Sequence, residues 1–204
     1  MIYSSDEEES EESTAQEPDA PEEEEEEPTL IGLCTDINEE SMKEIALSLL
    51  TLNGGRILPA ENDDEKPQDI EFFISSNGGS VNDMFAIYDL MELVKVNRDI
   101  ATFGYGRVAS AAVILLAGGT PGKRHISKNT RVMLHHCSSE LAGPHPSLRA
   151  SFAELKKVEA LMIEALAANS NLSVGEYYSI FSKNIDEYFS AAEVLEMGLV
   201  DKII

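Results

Sequence analysis

The 204-residue chain has no tryptophan and only two cysteines, Cys34 and Cys137. Two cysteines cannot make the disulfide framework of a small secreted domain, and no His/Cys spacing in the chain matches a zinc site. The sequence therefore points to a reducing, cytoplasmic setting and to no metal or other cofactor. The N-terminus lacks the basic-then-apolar order of a secretory signal, and no apolar run is long enough to span a bilayer. A phosphate-binding loop is also missing, so no nucleotide site is expected.

Basic residues are scarce as well: 15 Lys and Arg stand against 38 Asp and Glu, for a net charge of −23. That balance argues against nucleic acid, whose phosphates need a basic footprint, and against anionic membrane surfaces. The acidity is unevenly spread. Residues 1–28 hold fourteen acidic residues and no Lys or Arg, which leaves about −9 for the remainder. A segment so charged buries too little apolar surface to offset the entropy of ordering it. We expect residues 1–28 to be a disordered acidic tail and residues 29–204 to form one domain with its own core.

Hydrophobic patterning in that domain alternates between two periods. "TLIGLCTDI", ending at Asp36, "DIEFFIS", "DIATFGYG", "TRVMLHH" and "LVDKII" read as five strands. Met42, Ile45, Ala46 and Leu49 recur at helical spacing, as do Met84, Ile87, Tyr88, Met91 and Val94. Ala111 to Ala117 is an unbroken apolar helix too short for a membrane and therefore core. A long helix from Leu148 to Asn169 carries Phe152, Leu155, Val158, Leu161, Met162 and Leu166 on one stripe. "SVGEYYSIFSK" is a further helix, and Ser190 with Glu193 forms a capping box before a last one that stops at Gly198. Strands alternating with helices predict an α/β fold with largely parallel pairing.

Chemistry concentrates at a few junctions. Ser110 stands where a strand gives way to the buried helix, among Gly104, Gly106, Ala109, Ala111 and Ala112. A serine there is ordinarily an N-cap. The same place also offers unpaired N–H groups to an oxygen that gains negative charge, and small neighbours leave room for a carbonyl to approach. "SNGGS" places Gly78 and Gly79 at another strand-to-helix turn, where glycine lets the backbone present N–H groups. A serine nucleophile needs a base, and His135 and His136 both lie at a strand end. Strand parity does not choose between them. Asp186, before the last capped helix, is one of several carboxylates that could orient an imidazole.

Taken together, "DIEFFISSNGGSVNDMFAIYDLM", "GYGRVASAAVILLAGGTPGKRHISKNTRVMLHH" and "DEYFSAAEVLEMGLVDKI" resemble the Clp protease proteolytic subunit family, in the same order and at the same spacing. The resemblance runs from about Leu30 to Ile204. It implies Ser110 as nucleophile, His135 rather than His136 as general base, Asp186 as its orienting carboxylate, and Gly79 and Ala111 as oxyanion-hole donors. It further implies a crotonase-like fold of stacked strand–helix repeats with a protruding handle helix. The expected assembly is a homo-oligomer of two stacked seven-membered rings, hydrolysing unfolded polypeptide delivered by a separate ATP-driven unfoldase.

Some positions depart from the family's pattern. The residues matching the pocket that receives the unfoldase are Glu71, Phe73, Leu93 and His125, a more polar set than the family's aromatics. The acidic tail occupies the place of the family's N-terminal hairpin. Asn184 and Ile185 replace a charged pair that links the rings, and "HCSSELAGP" replaces a proline-and-glycine stretch beside the substrate groove. Two other readings follow: a capsid-maturation protease of the same fold, and a non-catalytic ring subunit that regulates others.

Overall fold

β3, Ile100–Ala109, is the strand around which the rest is organised, because it is long enough to serve different neighbours at its two ends. A computed structural model of the chain describes residues 29–56, 67–138, 142–183 and 185–204. The expected acidic tail, residues 57–66 of the loop after the first helix, residues 139–141 and Asn184 lie outside the described residues. In chain order the remaining elements are β1 Leu30–Leu33, α1 Glu39–Leu52, β2 Ile70–Ser76, α2 Val81–Lys95, α3 Ala111–Ala117 after β3, β4 Arg124–Ile126, β5 Arg131–Leu134, α4 His145–Ala168, α5 Val174–Phe181, β6 Glu187–Ser190, α6 Ala191–Glu196 and β7 Lys202–Ile203.

The sheet runs β1-β2-β3-β4-β7, with every pair parallel. Thr102–Gly104 of β3 pair with β4, while Arg107–Ala109 pair with β5. β6 then joins β5 antiparallel. The α/β, mainly parallel architecture agrees with the sequence, but β4 and β6 were not expected. Each has only three or four residues, β4 opens on a buried arginine, and β6 has no buried alternation, so neither leaves a period-2 trace.

The core follows from the two periodicities. Ile70, Phe72 and Ile74 of β2 point inward, as do Met84, Ile87, Met91 and Val94 of α2. All seven residues of α3 are buried. α4 departs from expectation. Only Met162, Ile163 and Leu166, in its last third, are buried, whereas Phe152 and Leu161 are each 51% exposed. Among the described residues, the outer part of its apolar stripe is therefore only partly covered.

α3 has no charge of its own, and its last carbonyls are taken up by its surroundings. Thr102 Oγ1 donates to Leu116 O, Lys95 Nζ to Gly118 O, and Arg124 Nη1 to Ala117 O. Two cations thus sit at the negative end of the helix that Ser110 begins. Arg124 also donates through Nη2 to Asp201 Oδ1 at 2.6 Å and through Nε to Asp201 Oδ2 at 2.9 Å, tying β4 to the segment before β7. Burial pushes the Asp201 carboxyl up, but the hydrogen bonds from Arg124 and Gly122 outweigh it and hold the group below its ordinary value.

A depressed folded-state pKa stabilises the fold at pH above the unfolded value, and the contribution is lost as pH falls through the folded one. Asp201→Asn should therefore cost about 2–4 kcal/mol at neutral pH, the loss of charge-assisted bonds to a nearly buried arginine. Urea unfolding checks this, and the gap from wild type should narrow as pH falls below about 4, the unfolded value, and close only once pH has fallen through the lower folded value of Asp201.

Candidate active site

Ser110 joins β3 to α3 with φ 56° and ψ −129°, and among the described residues no other non-glycine residue has positive φ. Such a conformation costs about 1–3 kcal/mol and persists only when its surroundings impose it. The side chain makes no capping bond, so the ordinary role of a serine at a helix start is absent. Instead Ser110 Oγ lies 2.7 Å from His135 Nε2. With the ring proton on Nδ1, Nε2 accepts the hydroxyl hydrogen.

The sheet register brings these two groups together. Ala109 is opposite Met133 in the β3–β5 ladder, and Ser110 N donates to Met133 O at 2.8 Å. His135 follows the last residue of β5, two positions on. The choice between the histidines left open by strand parity is made by position: His135 meets Ser110. His136 stands with its ring 6.3 Å from that of His135 and lines the same cleft.

Asp186 reaches the other ring nitrogen by the same logic. The β5–β6 ladder pairs Met133 with Tyr188 and Leu134 with Glu187. One step further along that register, His135 and Asp186 fall opposite each other. Asp186 Oδ1 lies 3.8 Å from His135 Nδ1, inside ion-pair range and beyond a direct hydrogen bond. Its side chain is 50% exposed.

The double-glycine turn closes on Ser110 from β2. Ile37 bridges to Gly79, with Ile37 N donating to Gly78 O at 2.7 Å and Ser80 N to Ile37 O at 2.9 Å. Gly78 has φ +90°, and a Cβ there would stand 2.6 Å from Ala109 O and 2.7 Å from Ser110 Cβ. Neither Gly79 N nor Ala111 N donates to another group among the described residues.

A cleft of about 230 Å³ opens beside Ser110, with Val81, Leu155 and Met162 on its apolar wall and Asn77 and Gly79 at its rim. Helical spacing places Leu155 and Met162 on one stripe of a long helix but does not say what that stripe covers. Cys137 completes the wall, with its Sγ 3.2 Å from Met162 Sδ. Burial, helped by nearby Glu159, pushes its thiol up to about 11, so it is protonated at neutral pH and acts as wall rather than nucleophile. No cluster of metal-ligating side chains is found among the described residues.

Two of the four residues marked for partner docking fall in one aromatic cluster. Phe73 and His125 join one aromatic stack through Phe103, with ring centroids 5.0 Å and 4.7 Å apart, and Tyr105 stacks on Phe73 at 5.4 Å. Glu71 is exposed two residues before Phe73 on β2, while Leu93 is on α2, packed against the core. The surface around Phe73 is thus more aromatic than the four positions suggest. Phe103 and Tyr105 were missed because the cross-strand register that aligns them is not visible in one strand.

A serine hydroxyl held on an imidazole at a strained turn, with free N–H groups and a carboxylate close by, is suited to nucleophilic acyl transfer. Sequence comparison agrees in class: the Clp protease family matches residues 26–204, and the chain belongs to that family. It is 34% identical to the ATP-dependent Clp protease proteolytic subunit 3 of Frankia casuarinae, over 86% of this chain and 76% of that protein. It is 33% identical to subunit 1 of Corynebacterium glutamicum, over 85% and 78%. Subunit 1 of Leifsonia xyli is likewise 33% identical, over 85% and 82%.

Proposed function

We propose that the chain is a serine endopeptidase, with residues 29–204 as its peptidase domain. Ser110 Oγ attacks the scissile carbonyl as His135 Nε2 takes its proton, and Asp186 stabilises the imidazolium that forms. The N–H groups of Gly79 and Ala111 receive the developing oxyanion. His135 returns the proton to the leaving amine, then activates the water that hydrolyses the ester on Ser110. The observation that carries this reading is the 2.7 Å contact of a non-capping Ser110 with His135. At 3.8 Å from His135 Nδ1, Asp186 Oδ1 is within ion-pair range of the imidazolium that forms.

The assembly and partners belong to the same proposal. α4 serves as the handle of a crotonase-like subunit, and its exposed Phe152 and Leu161 are buried when rings of this chain stack. The relatives are named as subunits of an ATP-dependent protease, and by analogy an ATP-driven partner feeds this chain unfolded polypeptide. Glu71 beside the aromatic stack makes that partner's docking loop differ from an all-apolar one, since an unpaired charge disfavours a buried apolar contact.

The apolar wall of the cleft points to substrates with a Leu- or Met-sized residue before the scissile bond. A fluorogenic peptide with Leu there should be cleaved at least about tenfold faster than its Asp counterpart. Equal rates, or cleavage of neither by the assembled protein, would contradict the reading.

A further inference from the structure

Within the site just proposed, Asp186 is the least constrained member. It is half exposed, and its Oδ1 stands 3.8 Å from His135 Nδ1. A carboxylate on an open surface rotates freely about its side-chain bonds unless its second oxygen is held. Here that oxygen has a partner: Tyr188 donates its phenolic hydrogen to Asp186 Oδ2 at 3.4 Å. Among the described residues no other hydrogen bond to the Asp186 side chain is seen, and its remaining contact is His135.

The placement follows from the strand. Tyr188 is two residues beyond Asp186 and sits opposite Met133 in the β5–β6 ladder. Residues two apart on a strand project to one face. The antiparallel pairing that carries Asp186 to His135 therefore also sets the phenol beside the carboxylate. Tyr188 is itself 51% exposed, so its ring is not needed to fill the core.

The geometry points to Tyr188 as a positioning residue that holds Asp186 by its outer oxygen, so that the inner oxygen faces His135 Nδ1. This rests on the peptidase reading above. Tyr188 does not touch the reacting atoms and acts only through Asp186. A phenol is suited to the task because its hydroxyl sits at the end of a rigid ring with few torsions to fix, whereas a serine at the same position would be too short.

The experiment is a double-mutant cycle on the full-length protein, comparing Tyr188→Phe, Asp186→Asn and the pair in peptide hydrolysis. Tyr188→Phe should lower kcat by about 3–10-fold, the effect of one hydrogen bond, and leave KM and thermal unfolding unchanged. In the Asp186→Asn background the same change should have no further effect, because the group it positions is gone. An unchanged kcat, a loss confined to KM, or a loss that multiplies in the Asp186→Asn background would overturn the inference. Those outcomes leave the peptidase reading intact. A wild-type protein that neither cleaves peptide nor is acylated at Ser110 would take down that reading itself.

Discussion

Ser110→Ala should reduce peptide hydrolysis on the order of 10⁴–10⁶-fold while the protein folds normally. The size follows from the division of labour at the site. On the proposed mechanism, removing the hydroxyl removes the covalent route altogether and leaves the Gly79 and Ala111 N–H groups acting on an attacking water. The stability effect is small. Ser110 is held at φ 56°, so relief of that strain is open only to residues that tolerate the conformation, and alanine is not one of them. Its Oγ makes no capping bond, so alanine forfeits only the contact with His135, which costs about 1 kcal/mol or less. A variant that loses activity and keeps its melting temperature places the serine in the chemistry. A variant that keeps activity removes it from there.

Gly78→Ala should have the next largest effect, for a different reason. The new methyl would meet Ala109 O at 2.6 Å, Ser110 Cβ at 2.7 Å and Ala111 N at 3.0 Å. Two of those atoms are backbone, so no side-chain rotation makes room. The glycine also has φ +90°, a conformation disfavoured for any residue with a Cβ. The double-glycine turn would have to move away from Ser110, carrying the Gly79 N–H with it. Losing one oxyanion donor costs about 10²–10³-fold in kcat, and a displaced turn adds about 1–3 kcal/mol of destabilisation. Peptide hydrolysis and thermal unfolding should both report the change. Gly54→Ala is the control: it too has positive φ, but its Cβ meets nothing within 4 Å. It should lose stability through strain alone and keep kcat.

The limits of legibility in the sequence have physical causes. Long, strongly periodic elements were readable: α2 with its Met84–Ile87–Met91–Val94 face, α3 as an uninterrupted core helix, and the Ser190–Glu193 capping box, whose reciprocal bonds are present. The apolar period of α4 was also correct, yet Phe152 and Leu161 are exposed. Periodicity reports that a face is apolar and not what covers it.

The candidate site divides in the same way. Ser110 drew notice as a hydroxyl among small residues at the start of an apolar run, although a serine there is ordinarily a cap. The choice of His135 and Asp186 came from resemblance to the family, since residue types alone left His136 and several carboxylates open. What brings them together is register: β3 against β5 for the serine and histidine, β5 against β6 for the aspartate. Register is a relation between strands far apart in sequence, and β6 is too short to leave a pattern. Had "EYFS" been recognised as a strand, parity would have paired Tyr188 with Asp186 on one face. The apolar wall of Val81, Leu155 and Met162 comes from two helices, and only their packing shows which residues face Ser110.

The most direct measurement is acylation of the assembled protein by a fluorophosphonate, followed by peptide mapping of the adduct and comparison with His135→Ala. Activation of one alcohol by the adjacent imidazole predicts a single modified residue, Ser110, and a rate at least about 10²-fold slower without the ring. Absence of label on Ser110 in the assembled particle, or an equal rate in the His135→Ala protein, would contradict it.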